Sequence, residues 1–124
     1  MSARILVLED NQELLALYQK MLSALGGYDV EAVSTIYDAT RALQTRHFDF
    51  FICDLNLVQE NSFDFLRRWT SMLQHDGTHI LVVSAESQYM PMVQELGIEF
   101  FLVKPIDMQA LLDLLGRLKH QPLS

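Results

Sequence analysis

Five side chains in this sequence stand where chemistry could be done: Glu9, Asp10, Asp54, Ser84 and Lys104. They follow four apolar runs of four residues each: Ile5–Leu8 precedes Glu9–Asp10, Phe50–Cys53 precedes Asp54, Ile80–Val83 precedes Ser84, and Phe100–Val103 precedes Lys104. Three carboxylates packed together repel one another, which raises their pKa values unless a cation neutralises them. An oxygen-only set without His or Cys suits a hard ion, and Mg2+ is the usual one when a phosphate completes the shell. A carboxylate is also a nucleophile toward phosphorus, giving an aspartyl phosphate. Phosphoryl transfer then asks mainly for positioning and charge neutralisation, to which the Lys104 ammonium and the Ser84 hydroxyl would contribute.

That chemistry requires the four run ends to meet. Apolar runs without polar alternation suit strands buried on both faces, as in parallel sheets. Tyr28–Ser34 differs, with Asp29 and Glu31 between Tyr28, Val30 and Ala32, the alternation of a half-exposed edge strand. Helical patterns fill the gaps. Asn11 is expected to cap a helix burying Leu14, Leu15, Tyr18, Leu22 and Leu25, with Gly26 as its stop. Ser34 or Thr35 would cap a second through Ile36, Ala39, Ala42 and Leu43, and Ser62 a third through Phe63, Leu66, Trp69 and Leu73. A fourth, Tyr89 to Leu96, tolerates Pro91 only in its first turn. Asp107 would cap the fifth, with Leu111, Leu112, Leu115 and Leu118 as its buried stripe. Five strands each followed by a helix make a parallel sheet covered on both faces. Right-handed crossovers and a second strand at the edge select the order 2-1-3-4-5, a flavodoxin-like, doubly wound (βα)5 fold of the α/β class. In such sheets ligands bind beyond the carboxyl ends of the strands, at the switch point between the first and third.

The bulk properties bound what else the chain can be. At 124 residues, half of them apolar, it is one domain with one hydrophobic core, 1–124. The single cysteine, Cys53, excludes a disulfide framework and fits a reducing compartment. Neither a secretory signal nor an apolar run near the ~20 residues that span a bilayer is visible, so the expected location is cytoplasmic, with no membrane partner. The net charge is −7, the lysines are Lys20, Lys104 and Lys119, and Arg67–Arg68 is the one adjacent basic pair. Direct nucleic-acid binding, which needs clustered cations, is not expected.

The segments ILVLEDN, FFICDLN, ILVVSAE and FFLVKP resemble the four signature strands of bacterial two-component response-regulator receivers, and the resemblance runs from Arg4 to about Lys119. It implies that Asp54 accepts a phosphoryl group from a histidine kinase or phosphotransfer protein. Asp10 and Asp54 would ligate Mg2+ directly, Glu9 through a water, and Asn56 through its backbone carbonyl. Ser84 and Phe101 lie at the family's switch positions, and Lys104–Pro105 resembles its Lys-Pro pair, commonly cis. Asn56 and Glu86 fall at the two positions that tune phosphoryl lifetime; both are short enough to leave or order an in-line water, implying a short-lived state as in chemotaxis-type regulators. The family often follows its acceptor with Met-Pro or Leu-Pro and later a Gly, where this chain has Leu57–Val58 and Ser62. Phe101 stands in place of a frequent Tyr.

On that resemblance the chain is a signalling switch, not an enzyme beyond catalysing its own phosphorylation and dephosphorylation. It would alter the surface of its fourth helix, fifth strand and fifth helix for a downstream protein target, a fused output domain or a second copy. About five residues follow the last helix, so an isolated receiver acting in trans and a fragment of a longer regulator or hybrid kinase are both expected readings. Two other functions are open: a phosphorylation-independent binding module, and a Mg2+-dependent phosphatase with an Asp nucleophile. Against the phosphatase, Asn56 stands where a second acid would be needed. The residues also have plainer readings. Asp54 and Ser84 could be turn residues, Glu9–Asp10 a helix cap, and Cys53 a buried, inert thiol. His75 and His79 have i, i+4 spacing, but Asp76–Gly77 breaks any helix between them. Met90, Met92 and Trp69 read as packing residues, with an exposed Met–Pro–Met on the fourth helix as the alternative, a contribution to a partner surface.

Overall fold

In the computed structural model, residues 2–119 are described. They alternate strand and helix: β1 (Arg4–Leu8), α1 (Gln12–Ala24), β2 (Asp29–Val33), α2 (Ile36–Thr45), β3 (Phe50–Asp54), α3 (Phe63–His75), β4 (His79–Ser84), α4 (Met90–Glu95), β5 (Phe100–Val103) and α5 (Met108–Leu118). The five strands form one parallel sheet in the order β2-β1-β3-β4-β5, the flavodoxin-like arrangement. The alternating strand β2 does lie at an edge, and β3 is buried at every residue.

Successive strand residues point to opposite faces, and the core divides accordingly. Ile5, Val7, Phe50, Ile52, Leu81 and Val83 pack against α1 and α5. Leu6, Leu8, Phe51, Cys53, Ile80 and Val82 pack against α2, α3 and α4. Asn11, Thr35 and Asp107 cap α1, α2 and α5, each side-chain oxygen accepting from a backbone N–H of the first turn.

Several expectations need correction. Ser62 occupies the N-cap position of α3 but makes no capping bond; the Phe63 N–H instead donates to Asn61 Oδ1 at 2.7 Å. On the same helix the fully buried residues are Phe65, Leu66, Thr70 and Leu73, with Phe63 and Trp69 only half-buried. Leu25 is 65% exposed, since α1 ends at Ala24. The left-handed turn residue is Gly27 (φ 71°), while Gly26 is required for space: a Cβ there would lie 2.6 Å from the Tyr28 ring. The fourth helix, by contrast, starts late as Pro91 requires, with a 3-10 turn over Ser87–Tyr89 before it and Pro91 in its first turn.

Candidate phosphoacceptor site

Register sets the site. Leu8 pairs with Cys53, so Glu9 and Asp54 emerge side by side at the carboxyl ends of β1 and β3. The ladder continues one bond past each strand end: Glu9 N–H donates to the Val33 carbonyl, Leu55 N–H to Val83, and Lys104 N–H to Ser84. Glu9, Asp10 and Asp54 each offer a carboxylate oxygen within 4.8 Å of the others. From β5, the Lys104 side chain reaches over β4, placing Nζ 2.9 Å from Glu9 Oε1 and 3.0 Å from Asp54 Oδ2. All five candidates from the strand ends are therefore at one pole of the sheet.

Burial decides the electrostatics. Glu9 is 1% and Asp54 4% exposed. Desolvation, reinforced by the Glu9 charge, pushes the Asp54 carboxyl up to about 6 even though Lys104 pulls it down. Burial also opposes the Lys104 charge, but the Glu9 and Asp54 carboxylates outweigh it and its pKa rises. Tyr18, beneath the site on α1, is raised by burial and by the Glu9 and Asp54 charges. One lysine thus serves two buried acids with a third beside them, an excess of negative charge in a dry place. A divalent cation would relieve it, and the all-oxygen donors fit Mg2+.

The remaining expected residues divide. Ser84 is fully buried; its Oγ accepts from Glu86 N–H at 3.0 Å and lies 3.4 Å from Asn56 Nδ2. The Asn56 backbone N–H donates to Asp54 Oδ1. The Glu86 side chain is exposed and accepts from Gln88, outside the acid cluster. Phe101 is half-buried on the α2–α3–α4 face of β5. Lys104–Pro105 is cis. Cys53 is buried, and desolvation pushes its thiol up to about 12, in keeping with an inert packing role. His75 ends α3 and His79 begins β4, where its ring stacks on Phe50.

Sequence reasoning passed over the hydrogen bonds of the loop 55–62. Val58 N–H donates to Asp10 Oδ2, a bond that the proline frequent at this place could not make. Ser62, where the pattern has Gly, is buried and donates from Oγ to the Asp54 carbonyl at 2.7 Å. Glu60 Oε2 accepts from Ile36 N–H at the start of α2. Two departures from the family pattern were themselves the signal: Val58 brings a backbone N–H where proline has none, and Ser62 a hydroxyl where glycine has no side chain.

Comparison with known proteins agrees with this fold. The response regulator receiver domain family matches residues 5–116. The DNA-binding transcriptional regulator NtrC of Rhizobium meliloti is 30% identical over 122 residues, 97% of this chain and 25% of that protein. The sensor histidine kinase GacS of Pseudomonas protegens is 30% identical over 110 residues, 83% of this chain and 12% of that protein. The chain thus spans a quarter or less of these curated relatives. Among solved structures, the chemotaxis response regulator CheY4 of Vibrio cholerae superposes with a TM-score of 0.83 at 26% identity, covering 95% of this chain and 99% of that one.

Proposed function

The chain belongs to the response regulator receiver domain family, and from that premise we propose that residues 1–124 work as one phosphoacceptor switch with Asp54 as the acceptor. The observation that carries the assignment is the Asp54 carboxylate, 4% exposed, beside Glu9 and Asp10 and 3.0 Å from the Lys104 ammonium. Glu9, Asp10, Asp54 and the Asn56 carbonyl would hold Mg2+. When bound, the ion supplies positive charge to the acid cluster and a ligand position for a phosphoryl oxygen.

The chain's own residues do the rest. An Asp54 oxygen bonds to the phosphorus of a phosphohistidine as the donor P–N bond breaks, the electron pair going to the imidazole nitrogen, which takes its proton from solvent. Lys104 neutralises charge on Asp54 and on the incoming phosphoryl group. The Ser84 hydroxyl trades its contacts with Glu86 and Asn56 for a phosphoryl oxygen, and Phe101 moves into the space released. That repacking alters the α4-β5-α5 surface presented to a partner, whether a separate target, a fused output domain or a second copy. Asn56 and Glu86 set how long the phosphoryl group lasts. The phosphodonor is a histidine kinase or phosphotransfer protein, and the chemistry is limited to the domain's own phosphorylation and dephosphorylation. The setting would be the cytoplasm; among the described residues no helix is long and apolar enough to cross a membrane.

Intact mass after incubation with acetyl phosphate and Mg2+ tests the reading. A gain of one phosphoryl group, abolished by EDTA and by Asp54→Asn, is expected. No gain in the wild-type protein, together with no Mg2+ binding, would leave a receiver-shaped binding module in its place.

A further inference from the structure

Asn61 makes two hydrogen bonds whose polarity is fixed by the backbone. A main-chain N–H can only donate, so the Asn61 atom 2.7 Å from Phe63 N is its carbonyl oxygen. Its amide NH2 is thereby turned toward Asn56, where Nδ2 lies 3.2 Å from Asn56 Oδ1. With its oxygen engaged there, Asn56 turns its own NH2 toward Ser84 Oγ, 3.4 Å away. An isolated antiparallel bridge between residues 56 and 61 holds the two backbones in place for this exchange. The orientation of an amide is ordinarily ambiguous from density or packing alone. Here the helix N-terminus reads it out through two successive bonds.

We infer that Asn61 is a positioning residue for the phosphorylated site: it fixes the Asn56 side-chain amide so that a donor, not an acceptor, faces Ser84. This rests on the phosphoacceptor reading above. The consequence is chemical. In phosphoryl loss a water oxygen bonds to phosphorus while the bond from phosphorus to the Asp54 oxygen breaks. The electron pair of that bond returns to the carboxylate, the water's proton passes to solvent, and inorganic phosphate leaves. An inward NH2 can hydrogen-bond a phosphoryl oxygen or the Ser84 hydroxyl, but it cannot accept a hydrogen bond from the attacking water. An inward carbonyl could accept that bond and orient the water, and it would repel the phosphoryl oxygens. Asn61 therefore slows dephosphorylation by way of Asn56, without touching the reacting atoms.

Asn61→Asp is the discriminating change. It keeps an acceptor for the Phe63 N–H and places an acid just before the N-cap of α3, where the helix dipole favours negative charge. It offers Asn56 no donor, so the Asn56 amide turns over to give its NH2 to the new carboxylate. Wild type, Asn61→Asp, Asn56→Ala and the double variant are phosphorylated with acetyl phosphate and Mg2+, and decay is followed by intact mass. Asn61→Asp should decay about three- to tenfold faster than wild type, the factor expected of one ordinary hydrogen bond. In the Asn56→Ala background the same substitution should change decay by less than about twofold. Equal acceleration in both backgrounds would mean a direct effect of charge or of the loop and would overturn the inference, as would unchanged decay of the single variant. Independently of phosphorylation, nuclear Overhauser contacts of the Asn56 side-chain NH2 should run to Ser84 in the wild type and to position 61 in the variant. Contacts stronger to Asn61 than to Ser84 in the wild type would also overturn it. If the wild-type protein takes up no phosphoryl group, the phosphoacceptor reading falls and this inference with it.

Discussion

The two halves of the sheet are built differently. Around β1 and β3 the strands are buried almost throughout, and the polar groups at their ends are locked by short bonds to Lys104, Val58, Asn11 and Ser62. Around α4 and β5 the packing thins: α4 has six residues with Val93 alone fully buried, and no residue of β5 is fully buried. Segments with little buried apolar surface open at lower free energy than core strands. The three carboxylates that must be held close together thus sit on the rigid half, while Lys104 reaches them from the looser half, where the surface proposed to change also lies.

Four changes would break or sharpen that contrast. The largest effect should come from Asp54→Asn, which leaves the fold intact and abolishes phosphoryl uptake, read by intact mass. Next is truncation in the core: Ile52→Ala, at a residue 1% exposed, should lower unfolding free energy by about 3–4 kcal/mol in urea titrations. Val93→Ala, although its residue is fully buried, should lower it by only about 1–2 kcal/mol, because the short α4 can settle onto the smaller side chain. Equal losses would show that the two halves are equally rigid.

The third concerns pH. Asp54 titrates at about 6 in the folded protein against an ordinary 3.8, so the folded state holds that proton more tightly than the unfolded chain does. Its contribution to stability is complete below the ordinary value and is lost as pH rises through about 6. Thermal unfolding of metal-free protein should register this as a decline on the order of 2 kcal/mol between those limits. Added Mg2+ should restore stability above pH 6 and do little below the ordinary carboxylate range. A Mg2+ effect independent of pH would detach the ion from Asp54. The smallest effect should be Asn11→Ala, removing the α1 cap for about 1 kcal/mol with phosphoryl uptake unchanged.

The same contrast explains what was legible in the sequence. Strand order, the edge position of β2 and the five strand-end side chains followed from apolar runs and the residues after them, because a buried parallel sheet leaves its strands little freedom. Phe100–Val103 and the caps Asn11, Thr35 and Asp107 read correctly for the same local reason. Loop 55–62 did not read, since its bonds join residues that have no periodic relation. Ser62 and Asn61 are both good capping residues, and composition alone could not assign the cap to Asn61 while Ser62 bonds the Asp54 carbonyl. Nor could it turn the Glu86 side chain toward Gln88, away from the acids. Such choices are made by neighbours brought together through the fold.

The central claim is that the phosphoryl group resides on Asp54, and mapping its position tests that most directly. The acetyl-phosphate-treated protein is reduced with borohydride, which converts an aspartyl phosphate to homoserine, then digested and sequenced by tandem mass spectrometry. The account predicts homoserine at position 54 alone, dependent on Mg2+ during labelling. Homoserine at Asp10 or another acid, with position 54 unmodified, would contradict it.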